Sequence, residues 1–117
     1  MARNPPPDRL AAAFDALKQG RLQDAERLAR ALAKERPGDA RPHALLGRIL
    51  AARGDVDGAR RSVDAALAID ARSVPALVES AALARRANDV ERAAADLGRL
   101  IDLQPAFAGF HHDLGVL

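Results

Sequence analysis

The sequence repeats itself every 34 residues. Segments 6–39, 40–73 and 74–107 align without an insertion, and residues 108–117 begin a fourth copy. Short similar segments of this kind bury their apolar faces against one another, so the period predicts a stack of units rather than one closed core. The columns that define the period hold small or chain-breaking residues: Gly20, Gly54 and Asn88; Ala25, Ala59 and Ala93; Pro37, Ala71 and Pro105; and Ala13, Gly47, Ala81 and Gly115.

Each unit predicts two helices. Apolar residues recur every three or four positions, as at Leu10, Phe14 and Leu17, and no stretch alternates in the manner of a strand. The column of glycine and asparagine separates the two helices, because these residues tolerate the left-handed backbone that ends a helix. Asp8 is expected to cap the first helix. The fold class is therefore all-α.

The repeated columns resemble those of the tetratricopeptide repeat family. The resemblance rests on the small residue in the first helix, as in Leu46-Gly47 and Leu114-Gly115, and on the alanine of the second helix. It covers residues 6–117 and implies an α-solenoid of antiparallel helix pairs, a fragment of a right-handed superhelix. Residues 1–5 are expected to be a disordered segment in front of this domain.

The chain departs from the family at its bulky aromatic positions. Smaller or polar residues take those places: Arg9, His43 and Leu77 in the first helices, and Ala29, Val63 and Leu97 in the second. Each such replacement forgoes on the order of 1–3 kcal/mol of apolar burial, so modest stability is expected. We expect His43 to be packed in the core.

The resemblance also implies where a partner would bind. In this family the first helices line the inner surface, which here would carry an apolar floor and a row of arginines suited to an extended or helical peptide with carboxylates. The residues expected there are Leu10, Phe14, Lys18, Arg41, Ala44, Leu45, Arg48, Ala52, Val78, Glu79, Ala82, Arg85 and Arg86. The lysine and asparagine clamp with which some members grip a terminal carboxylate is missing.

A second interpretation of the basic residues stays open. Arg85 and Arg86 would merely complement the carboxyl end of a helix, and Arg41 and Arg48 would be solvated. The net charge is only +2, from 18 basic and 16 acidic residues, and no aromatic residue alternates with arginine. Nucleic acid is therefore not an expected partner. No apolar run is long enough to span a membrane, and a cytoplasmic protein is expected. The large excess of arginine over lysine, together with the many alanines, indicates a GC-rich gene, so a bacterial source is expected.

Signals of catalysis or metal binding are weak. The segment His111-His112-Asp113 contains two types of iron ligand, but only His43 could supply a second, distant histidine. The pair Asp55 and Asp57 lies at a predicted helix start, where acids are favoured in any case. The sequence contains neither a glycine-rich phosphate loop nor a nucleophile motif. We expect no catalytic residues, no metal, no cofactor and no enzymatic activity.

The last residues of the chain favour self-association. Leu114, Val116 and Leu117 fall in the first helix of the partial unit, with no second helix in the sequence to cover them. They predict either an excised piece of a longer protein or a homo-oligomer. Three functions follow: a scaffold that binds a peptide or protein partner, the N-terminal repeat region of a glycosyltransferase, sulfotransferase or oxygenase, or a self-assembly module.

Overall fold

The chain folds into three consecutive helix pairs. The computed structural model describes residues 8–103, which contain six helices and no strand, so the all-α prediction is confirmed. The helices are α1 (Arg9–Lys18), α2 (Leu22–Glu35), α3 (Ala40–Ala52), α4 (Val56–Ile69), α5 (Val74–Arg86) and α6 (Val90–Leu103). No helix in this range is long and apolar enough to cross a membrane. The predictions for residues 1–5 and for the partial fourth unit lie outside the described residues.

Short polar side chains start the helices. The Asp8 carboxylate accepts a hydrogen bond from the backbone N–H of Leu10, which confirms the predicted cap. Asp39, Asp55 and Ser73 cap α3, α4 and α5 in the same way. Each cap satisfies a backbone donor that the first turn of a helix leaves without a partner.

A left-handed residue separates the two helices of each pair. Gly20, Gly54 and Asn88 have φ angles of 76°, 86° and 58°, as their shared column predicts. The chain reverses there within a three-residue turn, so α1 packs on α2, α3 on α4, and α5 on α6.

The first helices of the pairs form a layer of their own. Helix α3 contacts both α1 and α5, while α2 packs on α3 and α4 packs on α5. Small residues allow these close contacts: Ala13, Ala25 and Ala59 are fully buried. At Gly47 a Cβ atom would lie 2.6 Å from Val63 Cγ2 and 3.3 Å from the Ala59 carbonyl oxygen, so α3 and α4 approach too closely there for a side chain.

The positions where the family carries an aromatic residue differ among the three units. Leu77 is completely buried, whereas Arg9 is exposed and forms an ion pair with Glu35. The prediction that His43 is packed in the core is wrong, because the side chain is only half-buried at the edge of a surface cavity beside Arg30. At that edge the polar imidazole ring keeps contact with water, which avoids the cost of burying an unsatisfied donor or acceptor.

Polar groups lie between the second and third pairs. Asp96 on α6 is buried, and the Nε atom of Arg92 lies 3.6 Å from its Oδ2 atom. Arg92 Nη2 also donates a hydrogen bond of 3.0 Å to Asp64 Oδ1 on α4. Arg60 on α4 donates to the hydroxyl of Ser80, which is buried on α5. Of these contacts, Arg92 with Asp64 joins α6 to α4, and Arg60 with Ser80 joins α4 to α5. Charged and polar groups therefore contribute to the contact between the second and third pairs.

Candidate functional site

An open cavity of about 260 Å³ lies on the surface shared by α1, α3 and α5. We call it the inner cavity. It is lined by Leu10, Phe14, Arg41, Ala44, Leu45, Arg48, Val74, Pro75, Val78 and Glu79. Each of the three helix pairs contributes its first helix, so the cavity exists only because the units stack.

The inner cavity brings together eight of the thirteen residues that the sequence places on the inner surface. The five that do not line it are Lys18, Ala52, Ala82, Arg85 and Arg86. Sequence reasoning missed Val74 and Pro75, in the first turn of α5. They precede Val78 and Glu79 by four residues each and therefore lie on the same helix face, a spacing that could have identified them.

The lining of the inner cavity is mainly apolar. Leu10, Ala44 and Leu45 are buried and form its floor, while Phe14 is half-buried at one side. Val78 leaves 44% of its surface exposed, and among the described residues it shares this exposure with Val56, Ile69 and Val90, none of which lines the cavity. Exposed apolar surface in a concave site, bordered by a few charges, is typical of a binding site.

Arg41 is already engaged by a neighbour. Its Nη2 atom lies 2.7 Å from Asp39 Oδ2, and its Nε atom donates to Asp39 Oδ1 at 3.0 Å. The side-chain hydrogen bonds from Arg41 lower the pKa of Asp39 to about 2. The charge of Arg41 is therefore largely balanced by an aspartate at the start of its own helix.

Arg48 and Glu79 face each other across the inner cavity, from α3 and α5. The Arg48 Nε atom lies 4.0 Å from Glu79 Oε1, which is beyond hydrogen-bond distance. The Arg48 side chain is 57% exposed and that of Glu79 only 20%. Burial raises the pKa of Glu79, and the charge of Arg48 offsets part of that effect. Arg41 is thus hydrogen-bonded to its acidic neighbour, whereas Arg48 and Glu79 lie close together without a hydrogen bond.

The other predicted basic residues lie at helix ends. Lys18 is in the last turn of α1, and Arg85 and Arg86 are in the last turn of α5. All three are exposed. A cation at this place interacts favourably with the carboxyl end of the helix dipole, which agrees with the simpler of the two interpretations.

Candidate metal ligands do not cluster in the described part of the chain. Residues 8–103 contain no group of three His, Cys, Asp or Glu side chains that could hold an ion. The segment His111-His112-Asp113 lies outside these residues, as do Leu114, Val116 and Leu117, which the sequence predicts to drive self-association.

The family model for the tetratricopeptide repeat matches residues 16–86, which is more than half of the chain. The chain belongs to the tetratricopeptide repeat family. The match begins in α1 and ends with α5, so it includes all of α2, α3 and α4. The matched range includes the α3 and α5 residues that line the inner cavity, while Leu10 and Phe14 of α1 lie before it.

Several solved structures share this tetratricopeptide repeat fold. The type III secretion translocator chaperone SycD of Yersinia enterocolitica aligns with a TM-score of 0.77 at 21% identity, over 89% of this chain and 79% of that one. SycD in complex with a peptide of the translocator YopD gives a TM-score of 0.78 at 21% identity, over 92% and 85% of the two chains. PcrH in complex with the chaperone binding region of PopD gives 0.77 at 22%, over 99% and 92%.

These likenesses show the fold. No protein with a curated description matches the chain.

Proposed function

We propose that this protein is a non-enzymatic interaction scaffold that binds a segment of a partner protein over the inner cavity. The observation that carries the proposal is the exposed apolar lining that three stacked units build together, with Val78 at its edge. A surface of this kind gains free energy when an aliphatic side chain covers it.

The structural neighbours support a peptide as the ligand. SycD was solved with a peptide of the translocator YopD, and PcrH with the chaperone binding region of PopD. Both share the helical arrangement of this chain at TM-scores of 0.77 or above. A tetratricopeptide repeat fold of this size is therefore suited to holding an extended or helical segment of another protein.

The chemistry of the lining describes the partner. The cavity has room for a large aliphatic side chain on the floor of Leu10, Ala44 and Leu45. The sequence predicts carboxylates in the partner, but Arg41 is held by Asp39 and Arg48 lies 4.0 Å from Glu79, so the charged contact of the partner involves Arg48 or Glu79. With one apolar anchor and one charged contact, an affinity in the micromolar range is expected.

Replacing Val78 with serine is expected to weaken peptide binding about tenfold, because the variant loses most of the apolar surface that this residue offers to the partner. The measurement is a fluorescence titration with short synthetic peptides that carry a central leucine, compared with peptides that carry alanine there. The matched control is Val90→Ser, since Val90 is 75% exposed on α6 and does not line the cavity. Binding that does not depend on the central leucine, or that both variants weaken equally, would contradict the proposal.

The alternatives predicted from the sequence remain predictions. Self-association through Leu114, Val116 and Leu117 concerns residues outside 8–103. The prediction that this chain is the repeat region of a larger transferase or oxygenase cannot be tested on residues 8–103. Neither alternative changes the test at Val78.

A further inference from the structure

Glu79 is the least exposed charged group of the inner cavity. Its side chain is 20% exposed, whereas that of Arg48 is 57% exposed and that of Arg41 is 61% exposed. Among the described residues none donates a hydrogen bond to the Glu79 carboxylate, and the only cation within 4.0 Å is Arg48. The carboxylate therefore depends on the water that still reaches it from the open side of the cavity.

A partner that covers the inner cavity removes this water. A carboxylate that loses its water without gaining a hydrogen-bond donor is strongly disfavoured. Arg48 lies beyond hydrogen-bond distance, and Arg41 already donates to Asp39. A cationic group of the partner beside Glu79 would supply the donor that Arg48 does not bring within hydrogen-bond distance in this structure. A charged donor compensates best because charge-assisted hydrogen bonds are the stronger ones.

The geometry points to Glu79 as a residue that determines partner specificity: we propose that the inner cavity selects segments in which a lysine or arginine lies beside the apolar anchor residue. This inference rests on the proposed function and names the chemistry of the partner more closely. It differs from the carboxylate-bearing partner that the arginines of the sequence predict, and it makes that partner one outcome of the test.

The partial burial of Glu79 also affects the stability of the fold. Burial raises its pKa in the folded chain, so the ionised form is less favourable there than in the unfolded chain. The stabilisation that the protonated form gives is present below the usual pKa of glutamate and is lost as the pH rises through the raised value. At neutral pH burial of the Glu79 charge therefore opposes folding, so replacing it with the neutral glutamine should not lower the stability of the chain.

The test measures binding of three peptide series to the wild-type chain and to Glu79→Gln and Glu79→Lys. Every peptide has a central leucine, and the residues beside it are lysine in one series, glutamine in the second and glutamate in the third. Wild type is expected to bind the lysine series about tenfold more tightly than the glutamine series. Glu79→Gln should lose this preference, and Glu79→Lys should favour the glutamate series. The unfolding midpoint of Glu79→Gln at neutral pH should equal or exceed that of wild type.

The other outcomes separate the two proposals. Leucine-dependent binding in which glutamate peptides equal or exceed lysine peptides would overturn the role of Glu79 and leave the scaffold function intact. The role of Glu79 is also overturned if Glu91→Gln, an exposed control on α6, weakens lysine peptides as much as Glu79→Gln does, because the preference would then come from general charge. If none of the three peptide series binds in a manner that depends on its central leucine, the proposed function and this inference are overturned together.

Discussion

Replacing Leu77 with alanine is expected to lower the free energy of unfolding by about 2–5 kcal/mol. Leu77 lies at the end of the first turn of α5 and is 0% exposed, so the substitution removes buried carbon atoms and leaves a cavity that its neighbours fill only in part. This loss should be a large part of the total free energy of unfolding, because an ordinary domain is stable by only about 5–15 kcal/mol. Urea denaturation followed by circular dichroism measures it.

The neighbouring residue provides the matched control. Val78 follows Leu77 on the same helix but is 44% exposed, so Val78→Ala should cost less than about 1 kcal/mol. Equal losses of unfolding free energy at the two positions would show that Leu77 is not a buried core residue of the third unit.

Replacing Gly47 with alanine is expected to destabilise the chain by about 1–3 kcal/mol, in spite of the better helix propensity of alanine. A Cβ at this position would lie 2.6 Å from Val63 Cγ2 and 3.3 Å from the backbone oxygen of Ala59. The Val63 side chain can rotate away, but the Ala59 oxygen is part of the backbone of α4, so α3 and α4 would have to move apart. Thermal unfolding with the same probe reports the change.

The same substitution should have the opposite effect on stability at Gly98. This residue lies inside α6, where a Cβ would meet no atom of residues 8–103 within 4 Å, so Gly98→Ala gains helix propensity without a clash in that part of the chain. A stabilisation of roughly 0.5–1 kcal/mol is expected. If alanine changed the stability in the same direction at both positions, the close approach of α3 and α4 would not explain why residue 47 is a glycine.

Much of the fold follows from the sequence because it depends on local chemistry. The left-handed turn at Asn88, the cap at Asp8 and the helical spacing of Leu10 and Phe14 each involve interactions within a few residues. The small residue at Gly47 could be predicted as well, since the repeat places it in a column where two helices approach. For the same reason, eight of the thirteen residues assigned to the inner surface line one cavity.

The details of charge could not be predicted in this way. That Arg41 turns back to Asp39, and that Glu79 lies 4.0 Å from Arg48, depends on rotamers and on distances between helices that no periodicity encodes. The buried Asp96 and its contact with Arg92 were missed because aspartate in a helix ordinarily indicates a solvated face.

The proposed place of the partner, on the surface shared by α1, α3 and α5, can be observed residue by residue. A two-dimensional ¹H–¹⁵N spectrum of the chain is recorded with and without the peptide that has lysine beside its central leucine. We expect the largest shifts at the inner cavity, around Phe14, Ala44 and Val78. Shifts confined to α2, α4 and α6, or centred on the surface cavity lined by Arg30 and His43, would place the partner elsewhere and overturn the proposal.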